Sequence, residues 1–171
     1  CALAKPQAEK PHADQLEARY MRIVESIGRE QVGRHAELVG LLVRGLEASD
    51  GEDFLGPIMG HDDVGCLNAR VGQYFTPWAI ARMMATMALD DVQAKLETQP
   101  YVTIAEPAVG AGGMVLAVMQ ELRQQGVSID RAWFDATDLS TLCYHVAFVQ
   151  MSLVGCAGVV RCGDSLSLDM R

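Results

Sequence analysis

The chain lacks the features of membrane proteins, secreted proteins and common metal proteins. It has no uninterrupted apolar run of about 18 residues, the length that a membrane-spanning helix needs, and no secretory signal is visible. The five cysteines form no C-x-x-C pair, and their spacing does not suit the paired ligands of common zinc sites. We therefore expect a cytoplasmic protein with reduced thiols, no membrane contact and no metal site.

Basic residues are also scarce. The 14 Lys and Arg residues against 22 Asp and Glu residues give a formal net charge of −8. Because affinity for nucleic acid rests largely on Lys and Arg neutralising phosphates, this segment is not expected to grip DNA by itself. Arginines do recur near the N-terminus, but glutamates are interleaved with them, which is typical of a solvated helix face.

The order of segments predicts three regions: a flexible tail over 1–13, a helical region and loop over 14–70, and a domain over 71–171. Asp14 followed by Glu17 resembles a capping box and predicts a helix over about 15–28, with Leu16, Tyr20, Ile23, Val24 and Ile27 at helical spacing. A second amphipathic helix is predicted over about 30–47. The Gly- and Asp-rich residues 48–73 predict a long irregular connection, which in a compact domain tends to be functional or mobile.

A third helix is predicted to start at Thr76-Pro77 and to run to about residue 89. Threonine can cap free backbone N–H groups, and proline suits the first helical position because it has no N–H to leave unpaired. The apolar side chains of this helix are expected in the core: Ile80, Met83, Met84 and Met87. A short helical piece is expected before Gln99-Pro100.

From Tyr101 onward, strands and helices alternate. Strands are predicted over about 101–105, 132–137 and 158–162, and helices over about 112–125 and 141–153. Strand, helix, strand, helix, strand is half of a doubly wound α/β sheet. The fold class expected is therefore α/β, a Rossmann-like half-sheet with an N-terminal helical extension.

A candidate ligand-binding feature follows each predicted strand. These features are Glu106, Pro107, Ala108, Gly110, Gly112 and Gly113 after the first strand, Asp138 after the second, and Asp164 after the third. Ligands of open parallel sheets bind at the carboxyl ends of the strands, and glycines let a ligand approach bare backbone. The carboxylates could accept hydrogen bonds from ribose hydroxyls and from an adenine amino group. The pattern indicates a nucleoside lying across the strand ends; for the glycine cluster alone, a tight turn without a ligand is the alternative.

The glycine cluster does not fit a phosphate-binding motif. A dinucleotide fingerprint, G-x-G-x-x-G, fails because Val115 occupies the third glycine position, and a P-loop fails because no Gly-Lys-Ser/Thr follows. No basic residue lies near the turn, which favours a ligand without phosphates. S-adenosylmethionine is such a ligand, and its sulfonium tolerates an acidic neighbour such as Glu106.

Several segments resemble the motifs of N6-adenine DNA methyltransferases, including the modification subunits of type I restriction systems. Residues 72–77, GQYFTP, resemble G-Q-[FY]-[FY]-T-P, and residues 106–113, EPAVGAGG, resemble D-P-A-C-G-S-G-G. Further matches follow in family order, namely Asp138-Leu139-Ser140 and Gly163-Asp164-Ser165-Leu166, and Asp53-Phe54-Leu55-Gly56 is similar to the D-x-L-G lead-in. The resemblance spans about residues 50–168.

This resemblance implies a fold, a cofactor and partners. It implies a methyltransferase half-sheet that binds S-adenosylmethionine and belongs to an enzyme that methylates adenine N6 in DNA. The segment Tyr74, Phe75, Thr76 and Pro77 would touch the methionine end of the cofactor, and the glycine loop would pass under it. Asp138 would bind the ribose, and Asp164 would lie near the adenine. DNA, and restriction or specificity subunits, are the partners implied.

The sequence departs from the family pattern in one respect that matters. The catalytic tetrapeptide [DNS]-P-P-[FYW], which would hold a flipped adenine, does not occur, since the chain contains no Pro-Pro pair. No catalytic residue is therefore assigned. Because the chain also begins at Cys1 rather than Met, we expect a truncated, cofactor-binding portion that is inactive alone.

Two alternatives remain open at this point. One is a non-catalytic cofactor-binding or regulatory relative, and the other is an interaction module in which the sheet is only a scaffold. The aromatic residues leave a similar choice. For Phe75 and Trp78, packing is favoured over base stacking, whereas Tyr74 and Phe75 would line the adenosine pocket if their loop folds over it.

Overall fold

The computed structural model describes residues 10–61 and 74–170 of the chain. Within these ranges, no helix is both long and apolar enough to cross a membrane. The contacts divide the chain into two compact units, residues 1–41 and 42–171. The boundary between them falls inside a helix.

The first unit contains helix α1 (Lys10–Ile27) and most of helix α2 (Arg29–Ala48). The predicted second helix is confirmed. The first begins earlier than expected, so Asp14 lies inside the helix and the predicted capping box is wrong. The apolar spacing of α1 is present without burial, since Leu16, Tyr20 and Ile23 are about half exposed, at 49%, 54% and 49%.

Three short helices of the second unit precede its sheet: α3 (Leu55–Met59), α4 (Trp78–Ala88) and α5 (Val92–Thr98). The sequence did not predict α3, which lies in the expected irregular connection. Helix α4 begins one residue later than expected. Pro77 is its N-cap, no side chain caps it, and the Pro77 carbonyl accepts the N–H groups of Ile80 and Ala81.

The expected orientation of α4 is wrong. Ala81 and Ala85 are buried, at 1% and 0% exposure, whereas the larger apolar side chains are 44–72% exposed: Ile80, Met83, Met84 and Met87. Helix α4 packs on α6 (Gly113–Gln124). Small alanine side chains allow the two helices to approach closely, and the methionines therefore lie on the outer face.

The sheet has four strands in the order β1 (Val102–Glu106), β2 (Ala132–Asp138), β3 (Gly158–Asp164) and β4 (Asp169–Met170). The first three are parallel, joined by α6 and by α7 (Thr141–Leu153), and β4 runs antiparallel to β3. A 3₁₀ turn, Ile129–Arg131, leads into β2. The mixed α/β class is confirmed, and β4 is an element that the sequence did not predict.

The core lies on one face of the sheet. Val102, Phe134 and Ala136 point to that face and pack with buried residues of α6 and α7, such as Leu116 and Ala147. Alternate strand residues point to the other face, which is open among the described residues: Trp133 is 46% exposed there, and Arg161 forms an ion pair with Asp135. Right-handed crossovers that join β1, β2 and β3 in this order place both connecting helices on the same face of the sheet.

Candidate functional site

The three predicted acidic residues lie at one edge of the sheet. Glu106, Asp138 and Asp164 are the last residues of β1, β2 and β3, rather than the residues just beyond them. The strand register pairs Glu106 with Ala136, and Asp138 with Cys162. Since neighbouring strands are about 4.8 Å apart, the structure brings the three strand ends together as predicted.

The glycine loop between β1 and α6 is fixed by its backbone. Gly110 and Gly112 adopt positive φ angles of 56° and 102°, which side chains disfavour. The N–H of Val109 donates to the carbonyl of Thr137 at 2.9 Å, and the N–H of Gly112 donates to the carbonyl of Val109 at 2.8 Å. The first of these bonds joins the loop to the end of β2, so the loop has a defined shape.

Asp138 takes part in shaping this loop. Its Oδ2 accepts the N–H of Gly110 at 2.8 Å, and its Oδ1 accepts the N–H of Ser140 at 2.8 Å. The residue is 9% exposed. Each carboxylate oxygen has a second lone-pair site, so these bonds leave acceptor capacity for a ligand. The sequence predicted the location of Asp138 but not its bond to the loop.

Asp164 lies at the start of the turn between β3 and β4. Its Oδ1 accepts the N–H groups of Leu166 and Ser167 at 2.9 and 3.4 Å. The hydrogen bonds from Leu166 and Ser167 hold the pKa of this carboxyl below its ordinary value. Asp164 and Ser165 are partly exposed at the sheet edge, so a ligand could reach them.

The residues at the start of the glycine loop are accessible. Oε1 of Glu106 accepts the N–H of Ala108 at 3.0 Å, and Pro107 and Ala108 are exposed. Gly113, the first residue of α6, and Leu139, which is 62% exposed, complete the predicted set around the strand ends.

The segment Tyr74–Pro77 lies against the same loop; residues 72 and 73 of its motif are outside the described ranges. The Phe75 ring is half-buried and lies 3.1 Å from the position that a Cβ on Gly110 would take. Tyr74 is 76% exposed, and Thr76 and Pro77 are exposed as well. Trp78 packs against the core, which agrees with the packing interpretation of this residue.

A cleft of about 330 Å³ opens beside this segment. One side consists of Asp53, Gly56, Pro57 and Gly60, and the other is the run from Tyr74 to Trp78. A larger cleft, about 600 Å³, lies near Tyr101 and Val102 at the opposite end of β1. The smaller cleft is the candidate, because its lining includes Phe75, whose ring lies beside Gly110 in the loop that follows the carboxyl end of β1, and ligands of parallel sheets bind at such ends.

Gln150 of α7 is a site residue that sequence reasoning missed. It is fully buried, and its Nε2 donates to the carbonyl of Ala111 at 2.7 Å and to Oδ1 of Asp53 at 3.1 Å. Its Oε1 accepts the N–H of Leu55 at 3.0 Å. The side chain thus connects the glycine loop to the segment that lines the cleft. A lone amide between Val149 and Met151 was the available signal.

Comparison with known families matches residues 66–171 to the family described as N-6 DNA Methylase. The chain belongs to the N-6 DNA methylase family. The family predicted from the motifs is therefore confirmed. None of the curated proteins matches this N-6 DNA methylase chain.

A solved structure similar to this N-6 DNA methylase is a modification subunit of a putative type I restriction enzyme from Vibrio vulnificus YJ016. The two share 18% sequence identity, with a TM-score of 0.40, over 56% of this chain and 20% of that one. The chain thus spans about a fifth of the length of that subunit.

Among the described residues, no group of three or more His, Cys, Asp or Glu side chains could hold a metal ion.

Proposed function

We propose that this N-6 DNA methylase chain binds S-adenosylmethionine across the carboxyl ends of β1, β2 and β3. The observation that carries the proposal is the juxtaposition of the glycine loop, Asp138 and the Tyr74–Pro77 segment around one sheet edge. The hydrogen bond from Gly110 to Asp138 connects two of these parts, and the Phe75 ring lies 3.1 Å from the position that a Cβ on Gly110 would take. A Rossmann-like methyltransferase half-sheet is the fold that this arrangement supports.

The chemistry of the edge suits a nucleoside without phosphates. Gly110 and Gly112 shape the loop through their positive φ angles, and the three strand ends carry carboxylates. Of the described residues that line the cleft, none is basic. Phosphates are commonly bound by cations or by a P-loop or dinucleotide-type glycine motif, neither of which is present among the described residues of this site, whereas a sulfonium is compatible with acidic neighbours.

Each part of the edge has a proposed role in holding the cofactor. Asp138 accepts hydrogen bonds from the ribose hydroxyls, and Asp164 accepts one from the adenine amino group. Leu139 and Ser165 lie beside these two acids in sequence. The loop that begins at Glu106 passes under the ligand, as the family resemblance implies. The cofactor, when bound, supplies an activated methyl group, and the residues of this chain orient it.

The chain is proposed to serve as the cofactor-binding part of an enzyme that methylates adenine N6 in DNA. With a net charge of −8, this segment depends on other polypeptide for its grip on DNA. Restriction or specificity subunits are the proposed protein partners, and the cytoplasm is the proposed location.

A second candidate is a non-catalytic cofactor-binding relative. The printed sequence contains no Pro-Pro pair and so no [DNS]-P-P-[FYW] motif. Reading the codons beyond Arg171 separates the two: a tetrapeptide of this form within a few dozen residues supports the enzyme. Both candidates bind the cofactor, whereas a scaffold module does not.

Isothermal titration calorimetry of the folded chain tests the shared claim. S-adenosylmethionine and S-adenosylhomocysteine are expected to bind saturably at one site, and ATP and NAD, which carry phosphates, are expected not to compete. Circular dichroism must first show that the chain is folded. A folded chain that gives no saturable heat with either adenosyl ligand would contradict the proposal.

A further inference from the structure

Asp53 lies where the cleft meets the glycine loop. It precedes α3, and it lines the cleft together with Gly56 and Thr76. A Cβ placed on Gly113, the first residue of α6, would lie 2.6 Å from Oδ2 of Asp53. The carboxylate is therefore close to the N-terminus of α6, although its own segment is far away in sequence.

The two oxygens of Asp53 have different surroundings. Oδ1 accepts the N–H of Gly56 at 2.9 Å and the amide of Gln150 at 3.1 Å. Within the described ranges, no hydrogen bond reaches Oδ2, and no Lys or Arg pairs with the carboxylate. The buried Gln150 thus orients a carboxylate whose second oxygen has acceptor capacity to spare.

Asp53 is also the only carboxylate among the described residues that line the cleft. Glu106, the acidic candidate at the start of the loop, is not among those lining residues, and its Oε1 accepts the N–H of Ala108. A ligand group with a positive charge would therefore find its counter-charge at Asp53.

We infer that Asp53 is a further ligand-binding residue, which accepts the ammonium group at the amino-acid end of the methyl donor. The inference rests on the proposed function and on the orientation that the family resemblance implies, with this end of the ligand beside Tyr74–Pro77. A zwitterionic amino-acid group carries one ammonium, and a fixed carboxylate binds it through a charge-assisted hydrogen bond. Gln150 acts as a positioning residue for this carboxylate.

Two ligands and two variants test the assignment. The ligands are S-adenosylhomocysteine and its analogue in which hydrogen replaces the α-amine. The variants are Asp53→Asn, which retains an oxygen able to accept from Gly56 and Gln150, and Glu52→Gln, a neighbouring charge removal outside the cleft. Dissociation constants are measured by calorimetry on chains shown to be folded by circular dichroism.

The expected result is a coupling between Asp53 and the ligand amine. Loss of the amine should raise the dissociation constant for the natural chain about tenfold. Asp53→Asn should raise the dissociation constant of S-adenosylhomocysteine by a similar factor. The amine-free analogue should bind both chains equally, and Glu52→Gln should behave as the natural chain does.

Other outcomes overturn the assignment in distinguishable ways. If Asp53→Asn weakens the binding of both ligands equally, the role of Asp53 is only structural. If the variant binds both ligands as the natural chain does, Asp53 does not touch the ligand. If the folded natural chain binds neither ligand, the proposed function fails, and this inference fails with it. Should Asp53→Asn not fold, a crystal structure of the natural chain with S-adenosylhomocysteine decides: an ammonium nitrogen within about 3.2 Å of Asp53 supports the inference, and one against Glu106 refutes it.

Discussion

The N–H of Gly110 donates a 2.8 Å hydrogen bond to Oδ2 of Asp138, and this bond joins residues 28 positions apart. The acid proposed to bind ribose is therefore also a structural support of the glycine loop. Loop shape and ligand affinity should consequently change together when either residue is altered.

Asp138→Ala is expected to weaken binding of S-adenosylhomocysteine by about 1–3 kcal/mol, because the ribose hydroxyls and the N–H of Gly110 lose their acceptor. Calorimetry on the folded variant measures the effect. Asp130→Ala, a change at an exposed residue in the turn before β2, is the matched control. Unchanged affinity in a folded Asp138→Ala chain would remove the ribose assignment.

Gly110→Ala is expected to lower the free energy of unfolding by about 1–2 kcal/mol and to weaken ligand binding as well. The new Cβ meets a φ of 56° and also the Phe75 ring at 3.1 Å. Gly126→Ala provides the control, since Gly126 has a φ of 72° with nothing within 4 Å. Gly126→Ala should lose stability and keep its affinity. Equal affinities for the two variants would show that the contact between Phe75 and the loop has no part in binding.

Gln150→Leu should lower the free energy of unfolding by about 2 kcal/mol or more, because the buried carbonyl of Ala111 and the N–H of Leu55 lose a partner. Urea denaturation gives the value. Gln124→Leu, on the exposed side of α6, should change stability by no more than about 0.5 kcal/mol. A Gln150→Leu chain as stable as the natural one would mean that its hydrogen bonds contribute little net stability.

The packing of α4 on α6 predicts opposite responses for two of its residues. Ala85 is 0% exposed, so Ala85→Leu should overpack the helix contact and cost about 1–3 kcal/mol of stability. Met87 is 72% exposed, and Met87→Ser should be nearly neutral. Thermal unfolding of both variants checks the orientation of α4. The reverse order of stabilities would place the methionines in the core.

Burial raises the pKa of the Cys156 thiol from 9.0 to about 12. The folded chain should therefore react slowly with iodoacetamide at Cys156 near pH 8, and the urea-unfolded chain should react much faster. The same shift makes folding less favourable at alkaline pH. Its contribution to stability is fully present below pH 9.0 and is lost as the pH rises towards about 12. Peptide mass spectrometry of the alkylated sites measures the first effect, and equal rates in the two states would contradict the burial of this thiol.

Much of the second unit could be predicted from local pattern. The alternation of apolar runs with glycines placed β1, α6, β2, α7 and β3 within a few residues of their observed bounds. Period and turn chemistry act over short stretches of chain, so the sequence carries them directly. The motifs at 72–77 and 106–113 predicted the family, and the match over residues 66–171 confirmed that prediction.

Burial was predicted less well, because an amphipathic face identifies no partner. The methionines of α4 and the apolar residues of α1 have helical spacing, yet they are exposed in the units that contain them. Alanine has little hydrophobic signal, so the close contact of Ala81 and Ala85 with α6 could be seen only after the helices were placed. Helix propensity and spacing do not decide which of two faces is covered.

The sequence by itself determined the order of elements, the acidic strand ends and the glycine loop that follows β1. Only the tertiary structure decided that Gln150 connects Ala111 to Asp53, across 39 and 97 positions of chain. Hydrogen bonds between distant segments depend on how those segments fold together, and a buried amide must find its partners wherever the fold brings them.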